Sequence, residues 1–239
     1  MIFSRLKKLV KKLPVTFTKN QEYDRITRQI IRNHCSGSRS CVDAGAHEGE
    51  IFDQFVKYAP GGIHYAFEPI PFLYKRLLNK YASCNSCHIF PIALSNHKSV
   101  VPFNYVVSNP AYSGIFKRKY DRRNEEDMSI QVQTDSLDNI IPHHVPVQFI
   151  KIDVEGGEMH VLEGAERILS EHHPLVVFEF GLGGSDIYGT TPEKMFSFFT
   201  NHQYQLSLLH DFVAGGNVLS LEEFIEQFQQ RKNYYFIAH

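Results

Sequence analysis

The 239-residue sequence has no apolar run long enough for a secretory signal or a membrane span. Neither charge predominates: 25 Lys and Arg stand against 26 Asp and Glu, which excludes a general nucleic-acid coat. No Pro/Gly/Ser-rich linker or repeat period divides the chain. Cysteine is scarce, with four residues at 35, 41, 84 and 87, and a reducing cytoplasm is the expected setting. Cys84 and Cys87 have zinc or redox spacing, with His88 next in line. A structural zinc needs a second ligand pair, however, and Cys41 opens an apolar strand. The reading is therefore ordinary free thiols and no metal.

Two nucleotide signatures are also missing. A P-loop needs G-x-x-x-x-G-K-[ST], and a dinucleotide fingerprint needs G-x-G-x-x-G. The stretch 41–50 instead reads CVDAGAHEGE, with Ala46, His47 and Glu48 between Gly45 and Gly49. A glutamate beside a pyrophosphate would be repulsive, so phosphate recognition is disfavoured.

With 43% hydrophobic residues, one α/β domain with a two-sided core fits the length. Apolar runs at 40–44, 63–68 and 88–94 read as strands, separated by helical patterns at 51–58 and from Pro71. After a different middle section the alternation resumes: strand 147–154, helix 158–170, strand 175–180, helix 192–201 and strand 205–209. Ser220 and Glu223 have capping-box form before a helix to about 230, and 233–238 closes as a strand. This is the order of a doubly wound, mostly parallel sheet with helices on both faces.

Ahead of it, 22–33 reads as a helix. Phe3, Leu6, Leu9, Val10 and Leu13 recur at helical spacing among Arg5, Lys7, Lys8, Lys11 and Lys12. Such a segment either packs on the domain or lies on an anionic membrane. Its shortness favours the first, because membrane affinity scales with buried apolar area. Peripheral contact through residues 1–13 with the inner face of a membrane is the second reading. The oligomeric state is not legible.

Asp43 ends the first strand, and Glu68 ends the second, where an acid accepts both ribose hydroxyls in a strand-end crevice. Two acids, a glycine turn and no phosphate-binding lysine suit a ribose-bearing cofactor with a positive centre and an amino-acid tail, which describes S-adenosylmethionine. The block KIDVEGGEMHVLEGAERIL at 151–169 places Ile150 and Ile152 on one face of a strand, with Lys151 and Asp153 on the other. Asp153 and Glu155 read as functional acids. Glu158 reads as a helix cap.

VDAGAHEG at 42–49, AFEP at 66–69, PIALS at 91–95, TDSLDNI at 134–140, FIKIDVEGGEMHVLEGA at 149–165 and VFEFG at 177–181 resemble, in order, the FkbM-type family of S-adenosylmethionine-dependent methyltransferases. The resemblance covers roughly 40–182. It implies a class I methyltransferase fold, α/β and Rossmann-like, with a seven-stranded sheet whose last strand is antiparallel, and domains 1–39 (helical segment) and 40–239 (methyltransferase). It implies methyl transfer, usually to an oxygen of a sugar, polyketide or related metabolite. Carried over, Asp43, Gly45, Ala46, His47 and Gly49 form the methionine-side loop, Glu68 takes the ribose, Ala93 and Leu94 lie near adenine, and Asp153 lies near the sulfonium. His47 departs from a common asparagine and Ser136 from a more usual threonine.

An aliphatic hydroxyl needs its proton removed as it attacks. Asp153, Glu155 and Glu179 are the candidate bases, and Lys151 orients them or forms a structural ion pair. Segment 109–127, long and rich in turn formers, could close over the acceptor. In it, Tyr112 and Phe116 would supply a wall, and Lys117, Arg118, Lys119, Arg122 and Arg123 would meet an anionic group. His143, His144, His172 and His173 read as loop residues. The expected partner is a small-molecule or glycan acceptor, not nucleic acid. Alternatives are a nicotinamide-dependent oxidoreductase, which the missing G-x-G-x-x-G opposes, and a non-catalytic module, which the intact acids oppose.

Overall fold

The computed structural model describes residues 18–120 and 125–239. The basic segment 3–13 with its membrane reading, and Arg122 and Arg123, lie outside the described residues. Helix α1 (Lys19–His34) leads into β1 (Ser40–Ala44), α2 (Phe52–Tyr58), β2 (His64–Phe67), α3 (Pro71–Lys80) and β3 (Cys87–Phe90). Strands β4 (Ile92–Leu94), β5 (Ser99–Val106) and β6 (Asp127–Asp135) follow, then α4 (Leu137–Ile140), β7 (Val147–Ile152), α5 (Glu158–Glu163), α6 (Glu166–His172) and β8 (Leu175–Glu179). Next come α7 (Pro192–Asn201), β9 (Leu206–Leu208), α8 (Leu209–Ala214), α9 (Leu221–Gln229) and β10 (Tyr235–Ala238).

The main sheet has seven strands in the order β3-β2-β1-β7-β8-β10-β9. β10 runs antiparallel to both β8 and β9, and the other pairings are parallel. All five residues of β1 are buried, as a central parallel strand requires when helices cover both faces. Alternation sorts the core. Ile150, Ile152, Val176, Phe178 and Phe236 pack with α5, α6, α7 and α9, whereas Phe149, Val177 and Ile237 pack with α1 and α2. Capping follows the expected pattern at Ser220, whose hydroxyl accepts from Glu223 N while Glu223 accepts from Ser220 N.

Three local differences from the sequence reading have clear causes. The run 88–94 divides at Pro91, which has no N–H to give a ladder. Beyond it β4 leaves the main sheet and pairs with β6, in a small sheet completed by β5. The helix expected over 158–170 breaks at Gly164, where a Cβ would stand 2.3 Å from the Ser95 carbonyl oxygen.

The third difference is a correction: Cys84 and Cys87 are not free thiols but a disulfide. Two backbone hydrogen bonds, Cys84 N to Tyr81 O and Cys87 N to Cys84 O, fold the turn that brings their Cα atoms to 5.4 Å. Cys35 and Cys41 are the free cysteines, both buried. Thiol titration of the unreduced, denatured chain is therefore expected to count those two cysteines, rising to all four after reduction. Four thiols without reductant would contradict the bridge.

Candidate functional site

The carboxyl ends of β1, β2 and β7 open into a cavity of about 780 Å³, within the usual range for small-molecule and cofactor sites. Its floor begins with the turn after β1. Gly45 has φ +79°, His47 +48° and Gly49 +74°. Gly45 is obligatory because a Cβ would lie 1.9 Å from the Asp153 carbonyl oxygen, and one on Gly49 would lie 2.7 Å from the Tyr81 hydroxyl. The turn is stitched to β2, with Gly45 N and Ala46 N donating to Phe67 O at 3.1 and 3.0 Å.

Glu68 is 4% exposed, and its two oxygens accept from His47 N at 2.8 Å and Ile70 N at 2.9 Å. Burial pushes its carboxyl up to about 7, against the pull of those N–H groups. Asp43 is 1% exposed. No donor sits in good hydrogen-bond geometry on either oxygen, and burial raises it to about 6 although Lys151 and the Phe52 N–H oppose the shift. A buried carboxylate without donors is costly, so Asp43 suits a ligand that brings a cation. Ala93 and Leu94 of β4 line the same cavity, as do Ala46 and His47.

Lys151 ties the acids together. Its ammonium stands 3.1 Å from Asp153 and 3.7 Å from Asp43, and donates to Gly45 O at 3.2 Å. Asp153 continues β7, with its N–H on Ala44 O at 3.0 Å. Tyr235 donates its hydroxyl to Asp153 Oδ2 at 2.6 Å. Burial alone would raise Asp153; Lys151, then Glu179 and Tyr235, outweigh it and hold the carboxyl below its usual range. Glu179 moves the other way, raised well above normal by burial and by Asp153. The two carboxyls thus shift in opposite directions, Asp153 toward the ionised form and Glu179 toward the protonated one.

Glu155, at φ +61°, is ion-paired with Arg118. Oxygens of Asp153, Glu155 and Glu179 lie within 4.8 Å of one another, a donor set of the kind hard divalent cations use. Here protein cations and donors already engage them: Arg118 on Glu155, Lys151 and Tyr235 on Asp153.

Segment 109–120 covers the cavity through Asn109, Pro110, Ala111, Ser113 and Ile115. Tyr112 and Phe116, expected as wall residues, are placed elsewhere. Tyr112 stacks on Tyr120 and carries the Arg118 guanidinium over its ring, and Phe116 is 48% exposed with its ring 4.7 Å from Tyr188. Their chain neighbours Ala111, Ser113 and Ile115 take the inner side. Lys117 pairs with Asp127 at 2.6 Å. Glu158, buried, accepts from Val154 N and Gly156 N and so clasps the turn before its helix, as a cap does.

Residues 43–206, more than half of the chain, match the methyltransferase FkbM domain. The chain belongs to the FkbM methyltransferase family. The motif resemblance and the seven-stranded sheet with an antiparallel last strand are both borne out. This FkbM-family chain is 24% identical over 187 residues to methyltransferase sdnD of Sordaria araneosa, covering 63% of this chain and 71% of that protein. The FkbM methyltransferase structure from Methylobacillus flagellatus aligns at a TM-score of 0.52 and 18% identity, over 84% of this chain and 44% of that one. This chain therefore spans less than half of that structure's chain, and the likeness concerns the fold.

The family segment TDSLDNI has a structural role in this methyltransferase. Asp135 accepts from Ser136 N and Asn139 Nδ2, Ser136 caps α4, and Asp138 caps α6 through Arg167 N and Ile168 N. Residues outside 43–206 also reach the site. Tyr235 pairs directly opposite Glu179 in the β10–β8 ladder, and α1 with its cap residue Thr18 presents Asn20, Gln21, Asp24 and Thr27 to the cavity. Sequence reading found the terminal strand but gave Tyr235 no role, since that role exists only once β10 inserts beside β8. For α1 the available signal was the polar face at 20, 24 and 27, one helical period apart. Among the described residues no helix is long and apolar enough to cross a membrane.

Proposed function

We propose that this FkbM-family methyltransferase uses S-adenosylmethionine and methylates a hydroxyl of a sugar, glycan or related metabolite. The observation that carries the reading is the buried pair Asp43 and Lys151 with the half-buried Asp153, beside the Gly45–Gly49 turn, with Glu68 one strand away. Residues in the cavity fit the cofactor. Asp43 offers two oxygens with no donor, Glu68 keeps acceptor capacity for ribose hydroxyls, and Ala93 and Leu94 give an apolar seat for a base.

Bound S-adenosylmethionine supplies an electrophilic methyl group on a positively charged sulfur. The chain's own residues do the rest. Lys151 and Tyr235 fix Asp153 Oδ2 and keep that carboxylate ionised near neutrality, so it can take the hydroxyl proton of an acceptor. Glu179, raised by burial and by Asp153, is disfavoured as the base. Glu155 is committed to Arg118, which leaves Asp153 as the base. Segment 109–115 roofs the cavity and limits water, and holding acceptor and methyl in line can supply much of the rate.

Calorimetric titration with S-adenosylmethionine, S-adenosylhomocysteine and NAD tests the cofactor. Binding of the two adenosyl compounds alone is expected, and binding of NAD alone would overturn the reading. Glu68→Ala should weaken both by about ten- to a hundredfold, the worth of charge-assisted hydrogen bonds, with a melting curve to check that the loop it anchors stays folded. Screening hydroxylated sugars and metabolites for S-adenosylhomocysteine formation then tests the acceptor class, which fails if only amines or thiols turn over.

A further inference from the structure

Helix α1 ends on Cys35, which caps it by donating its N–H to Ile31 O at 2.8 Å. Cys41 lies in β1, where its N–H donates to His64 Nδ1 at 3.2 Å. The two free thiols meet beneath the turn from α1 to β1, with their Sγ atoms 3.7 Å apart. Cys35 is 2% exposed and Cys41 0%. Neither lines the cavity described above.

Buried cysteines often serve only as small apolar side chains. The surroundings of this pair point to more. Its sulfurs are already in contact, and a disulfide needs them to close by only about 1.7 Å. The turn between them can supply that movement. Ser36, Gly37, Ser38 and Arg39 are exposed, and Gly37 sits at φ +68° with nothing within 4 Å of its Cβ position. Gln148 covers the pair loosely, its amide nitrogen 3.4 Å from Ser36 O, 3.5 Å from Arg39 O and 3.8 Å from Cys41 Sγ. A half-buried amide, rather than packed core, therefore covers the Cys41 sulfur on that side. The Cys84–Cys87 bridge shows that the chain already carries one oxidised pair.

We propose that Cys35 and Cys41 form a peroxide-sensitive dithiol that closes to a second disulfide and fastens α1 to β1. The Gln148 N–H favours Cys41 as the thiolate. Its sulfur attacks one peroxide oxygen, the O–O bond breaks, and a water leaves to give a sulfenic acid. Cys35 then attacks that sulfur, the S–O bond breaks, and a second water leaves. Each thiol proton departs in a water, two electrons pass from the sulfurs to the peroxide, and one S–S bond forms. Because α1 forms one wall of the cavity, the bridge ties that wall covalently to the strand that carries Asp43.

Mass spectrometry on the full chain, treated with hydrogen peroxide and digested without reductant, tests this. Trypsin cuts after Arg32, Arg39 and Lys57, so Cys35 and Cys41 fall on different peptides, 33–39 and 40–57. They are expected to run as one linked species, lighter by two hydrogens than their sum, and to separate on reduction. Thiol titration of the oxidised, denatured chain should fall from two to none. The melting temperature should rise by about 5 °C, as closing a short loop gives. Cys35→Ser should show neither linkage nor rise. Peptides that stay separate would overturn the proposal, whether unmodified, as for packing residues, or carrying added oxygen. Linkage of either peptide to Cys84 or Cys87 would do the same. A linked pair with no rise in melting temperature would sink the fastening of α1.

Discussion

Replacing Gly45 by alanine is expected to cost more than about 4 kcal/mol, the range that marks a structural breach rather than an adjustment. Two effects add. At φ +79° an alanine is strained by about 1 kcal/mol or more. The larger effect is contact: the new Cβ would sit 1.9 Å from the Asp153 carbonyl oxygen and 3.0 Å from its carbon. Neither partner can retreat. Asp153 N is bonded to Ala44 O, Gly45 N to Phe67 O, and Gly45 O receives the Lys151 ammonium, so β1, β2 and β7 all meet at this point. Against a total stability of roughly 5–15 kcal/mol, the variant should be poorly soluble or unfold at far lower denaturant. Gly183→Ala is the control. Gly183 has φ +100° but nothing within 4 Å of its Cβ position, so only backbone strain of about 1–2 kcal/mol applies. Urea unfolding of both variants decides it. A Gly45→Ala protein within about 1 kcal/mol of Gly183→Ala would show that β7 is not clamped to the glycine turn.

The same junction explains what could be read from sequence. β1 and α7 were legible to the residue, because Cys41, Val42 and Ala44 mark a short buried strand and Thr191-Pro192 opens a helix with cap and N1 proline together. Asp43, Glu68, Lys151 and Asp153 were legible as strand-end residues, since their alternation with buried neighbours left them facing one crevice. What escaped depended on partners remote in the chain. Tyr235 meets Asp153 from 82 positions further along the chain, and α1 reaches the cavity although it precedes β1. The Cys84–Cys87 bridge was misread because spacing alone does not tell a thiol from a disulfide. Tyr112 and Phe116 were placed by residue type rather than by side. In an irregular segment no period says which neighbours face inward.

Asp153→Asn is expected to reduce turnover by about 10²–10⁴-fold, the usual worth of a positioned general base, while changing cofactor affinity far less. The substitution is isosteric, and its amide oxygen can still accept from Tyr235 and Lys151. What is lost is the negative charge that takes the proton. The neighbours are poor replacements: burial and Asp153 push Glu179 toward its protonated form, and Glu155 is bound to Arg118. In the variant, removing the Asp153 charge takes away one of the causes that raise Glu179, so Glu179 ionises at lower pH than in the parent and can take the proton as the pH rises. Residual activity should therefore climb with pH more steeply than that of the parent. The measurement is S-adenosylhomocysteine formation on whichever hydroxylated acceptor the screen yields, from pH 6 to pH 9, beside Glu155→Gln. A small effect of Asp153→Asn with a large one from Glu155→Gln would move the base to Glu155, and would mean that the Arg118 pair opens when the acceptor binds.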